Sequence, residues 1–196
     1  MTKKAFENIL GALNGKSELL MKRKILALGK SYMVMDKDES PLCYVRLDMG
    51  SNLAGNLLSG SLGKWAGRSL NYTYTVQDSN EEVALHLQKG PGAWKTNFAV
   101  LEETGENHGV LSINRGLMGG MVAQWVDPGT DQVSMVTQGN ILKRQYAILN
   151  QDEQEIGSVR HKIAAIRDTW NLNLNSGGNI LNAVILATVL DFEKEM

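Results

Sequence analysis

Histidine, cysteine, serine and paired carboxylates are the side chains that could run a reaction in this chain, and their spacing argues against each. His86, His108 and His161 form no H-x-H or H-x-x-x-H pair, the spacings that put two imidazoles on one metal. Only separate strands could bring them together. Cys43 is the single cysteine, which excludes an intrachain disulfide and any multi-cysteine zinc or iron–sulfur site. It stands between Leu42 and Tyr44 in an apolar run, where a thiol reads as a small buried hydrophobe. Ser61 lacks a nucleophile elbow because Ser59 occupies the first glycine's place. Gly63-Lys64 fails as a phosphate loop: Trp65 follows where Ser or Thr is needed, and Leu58 replaces the first glycine. Glu81-Glu82 and Glu102-Glu103 fall in turns, where charge is solvated and lacks the burial that catalytic carboxylates need. No catalytic constellation emerges, so the expectation is a non-enzymatic protein without a cofactor.

What remains is charge. Lys22, Arg23, Lys24, Lys143, Arg144, Arg160, His161, Lys162 and Arg167 are the basic residues that could meet lipid phosphates. Taken singly, each also fits a solvated or strand-edge role. Residues 1–30 are locally basic, with Lys3, Lys4, Lys16, Lys22, Arg23, Lys24 and Lys30 against Glu7 and Glu18. The whole chain balances 20 Lys and Arg against 21 Asp and Glu, net charge −1. That argues against a nucleic-acid partner.

These residues need a scaffold, and 196 residues are enough for one domain with its own core. Phe6, Ile9, Leu10 and Leu13 recur at helical spacing, and Gly11 and Asn14-Gly15 end the helix. Residues 1–23 thus read as a basic amphipathic segment, packed on the body or lying on a membrane surface. A single domain would occupy 24–196. No apolar core follows the first lysines as a signal peptide requires, so the Asn71-Tyr72-Thr73 sequon is expected to be unused.

From residue 24 to about 174, period-two alternation replaces helical spacing. Tyr72, Tyr74 and Val76 alternate before an Asp78–Glu82 turn, and Val83, Leu85 and Leu87 after it. The same form recurs at 32–46, 94–113, 121–137 and 144–160. Laying 32–46 over 146–160 pairs Tyr32 with Tyr146, Asp38 with Asp152, Glu39 with Glu153, Val45 with Val159 and Arg46 with Arg160. So long an antiparallel meander, with 20 glycines and only 3 prolines, should curl and close into a barrel. Residues 178–192 contain an apolar run from Ile180 to Leu190 with no polar face, too short to cross a bilayer. A helix apolar all round inside a barrel protein belongs on the barrel axis.

This layout resembles the tubby C-terminal superfamily, which includes the phospholipid scramblases and the plant LURP-one-related proteins. Three stretches carry the resemblance: the opening hairpin Tyr32 to Glu39, the Ile156-Gly157-Ser158-Val159-Arg160-His161-Lys162 strand, and the end from Asp168-Thr169-Trp170 through Asp191-Phe192. The resemblance implies a closed antiparallel barrel of about 12 strands around a hydrophobic C-terminal helix, and it directs attention to lipids. Its scramblase branch places a calcium segment before the last helix. The matching residues here are Asp168, Asn171, Asn173 and Asn175, a set with one charge that would hold calcium weakly. The cysteine-rich and proline-rich parts of scramblases are missing. The expected function is binding of anionic phospholipid at the cytoplasmic membrane face. A protein-interaction or regulatory module without lipid affinity is the alternative, and phospholipid scrambling is a third reading.

Overall fold

The computed structural model describes residues 3–26, 29–48, 73–90, 95–115, 121–140, 145–161, 169–175 and 179–195. Helix α1 (Lys3–Leu13) precedes strands β1 (Glu18–Leu26), β2 (Gly29–Met35), β3 (Pro41–Asp48), β4 (Thr73–Asp78), β5 (Val83–Lys89) and β6 (Lys95–Glu102). Strands β7 (Asn107–Arg115), β8 (Met121–Val126), β9 (Val133–Asn140), β10 (Gln145–Leu149), β11 (Glu155–His161) and β12 (Thr169–Leu174) follow, then helix α2 (Ile180–Glu195). Each strand pairs antiparallel with its sequence neighbours, and β1 closes the barrel on β12 with Glu18 opposite Asn173 and Lys22 opposite Thr169. Closure removes every sheet edge.

Five tight turns fix the register, all at one end of the barrel. In three of them one side-chain oxygen does the same work. Asp36 Oδ1 accepts the N–H groups of Asp38 and Ser40, each at 3.0 Å. Asp78 Oδ1 accepts those of Asn80 and Glu82, and Asn150 Oδ1 those of Asp152 and Gln154. The fourth residue of each turn is left-handed: φ is 59° at Glu39, 67° at Glu81 and 59° at Glu153. Gly105 takes that place in the turn after β6. A type I turn closed by a left-handed residue inserts one unpaired residue, and the pairing shifts register beside these turns.

Helix α2 fills the barrel. Residues 181–190 are buried on every side, each aliphatic side chain contributing about 1.5–3 kcal/mol of transfer free energy. Burial all round leaves rotation about the axis unspecified, and polar contacts set it. Asn179 starts the helix by accepting the Asn182 N–H. Asn182 meets His108 Nε2 at 3.2 Å near one end, and the Tyr146 hydroxyl reaches the Ala187 carbonyl midway. At the far end the Tyr32 hydroxyl donates to Asp191, and Tyr74 and Arg115 donate to Glu193. Phe192 stacks on Tyr74 and packs edge-on to Tyr32.

The sequence reading is corrected in three places. The buried stripe of α1 is Ala5, Ile9 and Leu13, while Leu10 is 41% exposed. The stripe has turned because α1 packs on β3, β4 and β5 and on α2. Strand pairing begins at Glu18, so the division at residue 23 falls inside β1, and α1 shares the barrel's core. The final helix runs on to Glu195 because buried Tyr74 and Arg115 give Glu193 polar partners.

Candidate functional site

The barrel has two electrostatically opposite ends. The turns at one end read DKDES (36–40), DSNEE (78–82), EETGE (102–106), DPGTDQ (127–132) and NQDEQE (150–155). Each carries two or three acids, and Lys37 is their one cation. Helix α1 docks at this end: Asn8 donates to Asp78 at 2.9 Å, Lys16 pairs with Asp36 at 3.2 Å, and Phe6 meets His108 edge-on. Burial works to raise the Asp78 carboxyl, but the Asn8 amide and the backbone N–H groups of Glu82 and Asn80 outweigh it and hold the pKa low. The Ser40 N–H does most to lower Asp36, against a smaller opposing effect of burial and with help from Lys16.

At the opposite end the strands carry cations. Lys24, Lys95 and Arg160 are exposed there. Lys24 lies 6.0 Å from the Tyr44 ring centre, whereas the Arg46 guanidinium, 5.6 Å from the same ring, pairs at 2.7 Å with Glu81 of the acidic turns. Inside this end Arg115 bridges Thr96 and Glu193. Arg23 shares the inward parity of Leu19 and Met21, and its cation acts on the Tyr32 hydroxyl. Burial and the neighbouring Asp191 carboxylate push the Tyr32 phenol far above its ordinary range, so it is a permanent donor.

The expected lipid-contact residues therefore divide. Lys22 and Lys24 point outward from β1, with Lys22 3.8 Å from Glu39, whereas Arg23 points inward and acts on the Tyr32 hydroxyl. Arg160 is exposed on β11, and His161 faces in, its ring edge-on to Trp170 at 4.9 Å. Lys143, Arg144, Lys162, Arg167 and Asp168 lie outside the described residues. Asn171 and Asn173 do share the outer face of β12, but the Asn175 amide is already donated to the Glu155 carbonyl at 2.9 Å. Among the described residues no three of His, Cys, Asp and Glu come together in a metal-sized group. The three histidines keep different company, His86 facing outward on β5. Cys43 is fully buried, and burial pushes its thiol up to about 12, so it is no nucleophile. Trp125 and Trp170 are barrel packing; Trp65 and Trp94 lie outside the described residues, as do the glycine-rich stretches 55–63 and 116–120. Sequence reasoning missed Lys95, Arg46 and Arg115, and it missed the ties from Tyr32 and Tyr74 to Asp191 and Glu193.

No protein-family model matches the chain, and no curated protein does. Among solved structures, the X-ray structure of an Arabidopsis thaliana protein, AT5G01750, is similar with a TM-score of 0.53 and 9% identity. The match covers 89% of this chain and 91% of the other. At that identity the likeness is one of fold, a barrel of the same kind.

Proposed function

We propose that this chain is a non-enzymatic, tubby-like barrel that stands on anionic phospholipid with its basic end down, at the cytoplasmic face of a membrane. The separation of charge between the two ends is the observation that carries the reading. Lys24, Lys95 and Arg160 are exposed at one end, and the acidic turns lie at the other. Each cation near an anionic surface adds about 1 kcal/mol of attraction, and the acidic end opposes the inverted orientation. The buried face of α1, Ala5, Ile9 and Leu13, is spent on the barrel at the acidic end, so α1 has no part in this contact. No helix among the described residues is long and apolar enough to cross a membrane, and α2 is enclosed by the strands. Binding therefore fits the molecule better than lipid translocation.

Co-sedimentation with vesicles of phosphatidylcholine alone and with added phosphatidylserine, at two salt concentrations, tests the proposal. Binding to the anionic vesicles alone, weakened by salt and by Lys24→Glu/Lys95→Glu, is the expected result. Equal recovery from both vesicle types, or none from either, refutes it and favours a protein partner.

A further inference from the structure

Alternate residues of a barrel strand face outward, and an outward face that meets water is normally polar. One side of this barrel departs from that rule. Strands β6 to β10 carry Leu101, Val110, Val122, Val126, Val136 and Leu149 on their outer parity, five of them half-buried and Val122 39% exposed. They lie in continuous rows. Ala99 stands opposite Val110 and Val110 opposite Val126, while Ser112, Gln124, Val136 and Leu149 follow one another in the next row. Two polar groups of the face bond to neighbours: the Ser112 hydroxyl donates to Asn97 Oδ1 at 2.7 Å, and the Ser134 hydroxyl to Asp127 at 2.8 Å. Among the described residues, the outward positions of β7 to β10 hold no Asp, Glu, Lys or Arg, whereas those of β1, β3 and β11 hold Glu18, Lys22, Lys24, Arg46 and Arg160. An apolar centre with charge only beyond its margins is the composition of an interface core.

We infer that this side of the barrel binds a second copy of the chain, reversed end for end. Five strands at ~4.8 Å spacing and about six residues at ~3.4 Å make a face of about 24 by 20 Å. Two such faces cover about 1,000 Å², the size of a weak and reversible interface. A neutral apolar face is best matched by another, and a two-fold axis supplies it from the same patch of a second copy. The barrel's ends choose the direction. With the axis across the barrel, the acidic turns 102–106 and 127–132 of each copy lie along the other's basic end, where Lys95 and Arg160 are exposed. With the axis along the barrel, acidic turns would crowd acidic turns. Gln124 is the middle outward residue of the middle strand, so it lies at the axis and meets its own mate. Such a pair points its two basic ends in opposite directions, and only one of them can stand on a given bilayer. The inference rests on the side of the barrel and the membrane reading on its end, so either can fail without the other.

Sedimentation velocity of the full chain, from micromolar to near-millimolar concentration at low and high salt, tests it. A reversible dimer is expected, and it should loosen at high salt as the attraction between opposite ends is screened. Gln124→Lys sets two like charges face to face at the axis and should weaken the dimer at least about tenfold. Val122→Lys should act in the same direction. Both variants should unfold at the wild-type temperature when dilute enough to be monomers, because the replaced side chains face outward. Met33→Lys makes the same kind of change on the outer face of β2, across the barrel, and should leave the dimer intact. A monomer at every concentration, or a dimer that survives both Gln124→Lys and Val122→Lys, would overturn the inference. Equal weakening by Met33→Lys would do so as well, since the contact would then lie elsewhere. A dimer that tightens at high salt would overturn the reversed arrangement.

Discussion

Replacing Glu193 by Leu should do more damage than any surface change in this protein, and the size of the damage follows from its surroundings. The Glu193 side chain is fully buried, Arg115 is 12% exposed, and Tyr74 donates to the same carboxylate at 3.0 Å. Removing one partner of a buried ion pair leaves the other charge stranded, at about 3–5 kcal/mol. The Tyr74 hydroxyl loses its acceptor as well, worth about 1 kcal/mol. Glu193→Leu should therefore cost about 4–6 kcal/mol, and Arg115→Met about 3–5 kcal/mol by the same reasoning. The double variant removes both charges together and should cost less than either single change, because the desolvation of both ions disappears with them. Urea unfolding of the four proteins gives the cycle, and a chain of this size should lose about 2–4 °C in Tm per kcal/mol. Single variants that lose under about 1 kcal/mol, or a double variant equal to the sum, would refute the view that this pair holds the helix in place.

Three further outcomes are expected. Asp78→Ala should cost about 2–3 kcal/mol near neutral pH, from bonds to Asn8, Asn80 and Glu82 at about 1 kcal/mol each. The Asp78 carboxyl titrates lower in the folded chain than its ordinary value of 3.8, so its contribution is complete above that value and lost as pH falls through the folded one. Acid titration by circular dichroism should accordingly show a shallower loss below pH ~4 in Asp78→Ala than in the wild type. Glu39→Gly with Glu153→Gly relieves two left-handed side chains and should raise stability by roughly 1 kcal/mol, while Gly105→Ala in the equivalent turn should lower it by about 1 kcal/mol, both read by thermal unfolding. Cys43 should be silent to a thiol reagent in the folded protein and react fully in denaturant, because its sulfur is buried and its thiol is pushed up to about 12.

The hairpins were legible because an acidic turn between two alternating runs has few other structures open to it. The residue coincidences between 32–46 and 146–160 acquire a physical cause. Tyr32 and Tyr146 both point inward at α2, and Glu39 and Glu153 occupy the same left-handed position in turns opened by Asp36 and Asn150. Strand β1 was obscured by Lys22-Arg23-Lys24, which reads as a solvated charge run although its middle member faces the interior. Parity held the clue, since Arg23 follows Leu19 and Met21 on one face and Arg115 follows Leu111 and Ile113. The convergence of Tyr32, Tyr74 and Arg115 on the end of α2 was beyond reach, because only barrel closure brings such distant positions together.

The two charged ends are coupled through the helix between them. Helix α2 begins near the acidic turns, where Asn182 meets His108 just past the turn at 102–106, and it ends among the cations of the other end. Its negative pole lies beside Arg115, which donates to Glu193, a placement worth about 0.3–1 kcal/mol. Asp191 and Glu193 run against that pattern, since acids at a helix C-terminus are disfavoured. They are tolerable because Tyr32, Tyr74 and Arg115 bond them directly, and those bonds supply the directional contacts that an all-apolar helix lacks. Arg115 is therefore committed to holding α2, while exposed Lys24, Lys95 and Arg160 face outward at the same end. A charge reversal at Arg115 should unfold the barrel, whereas one at Lys95, on the exposed face of β6, should leave the fold intact and change only what the basic end attracts.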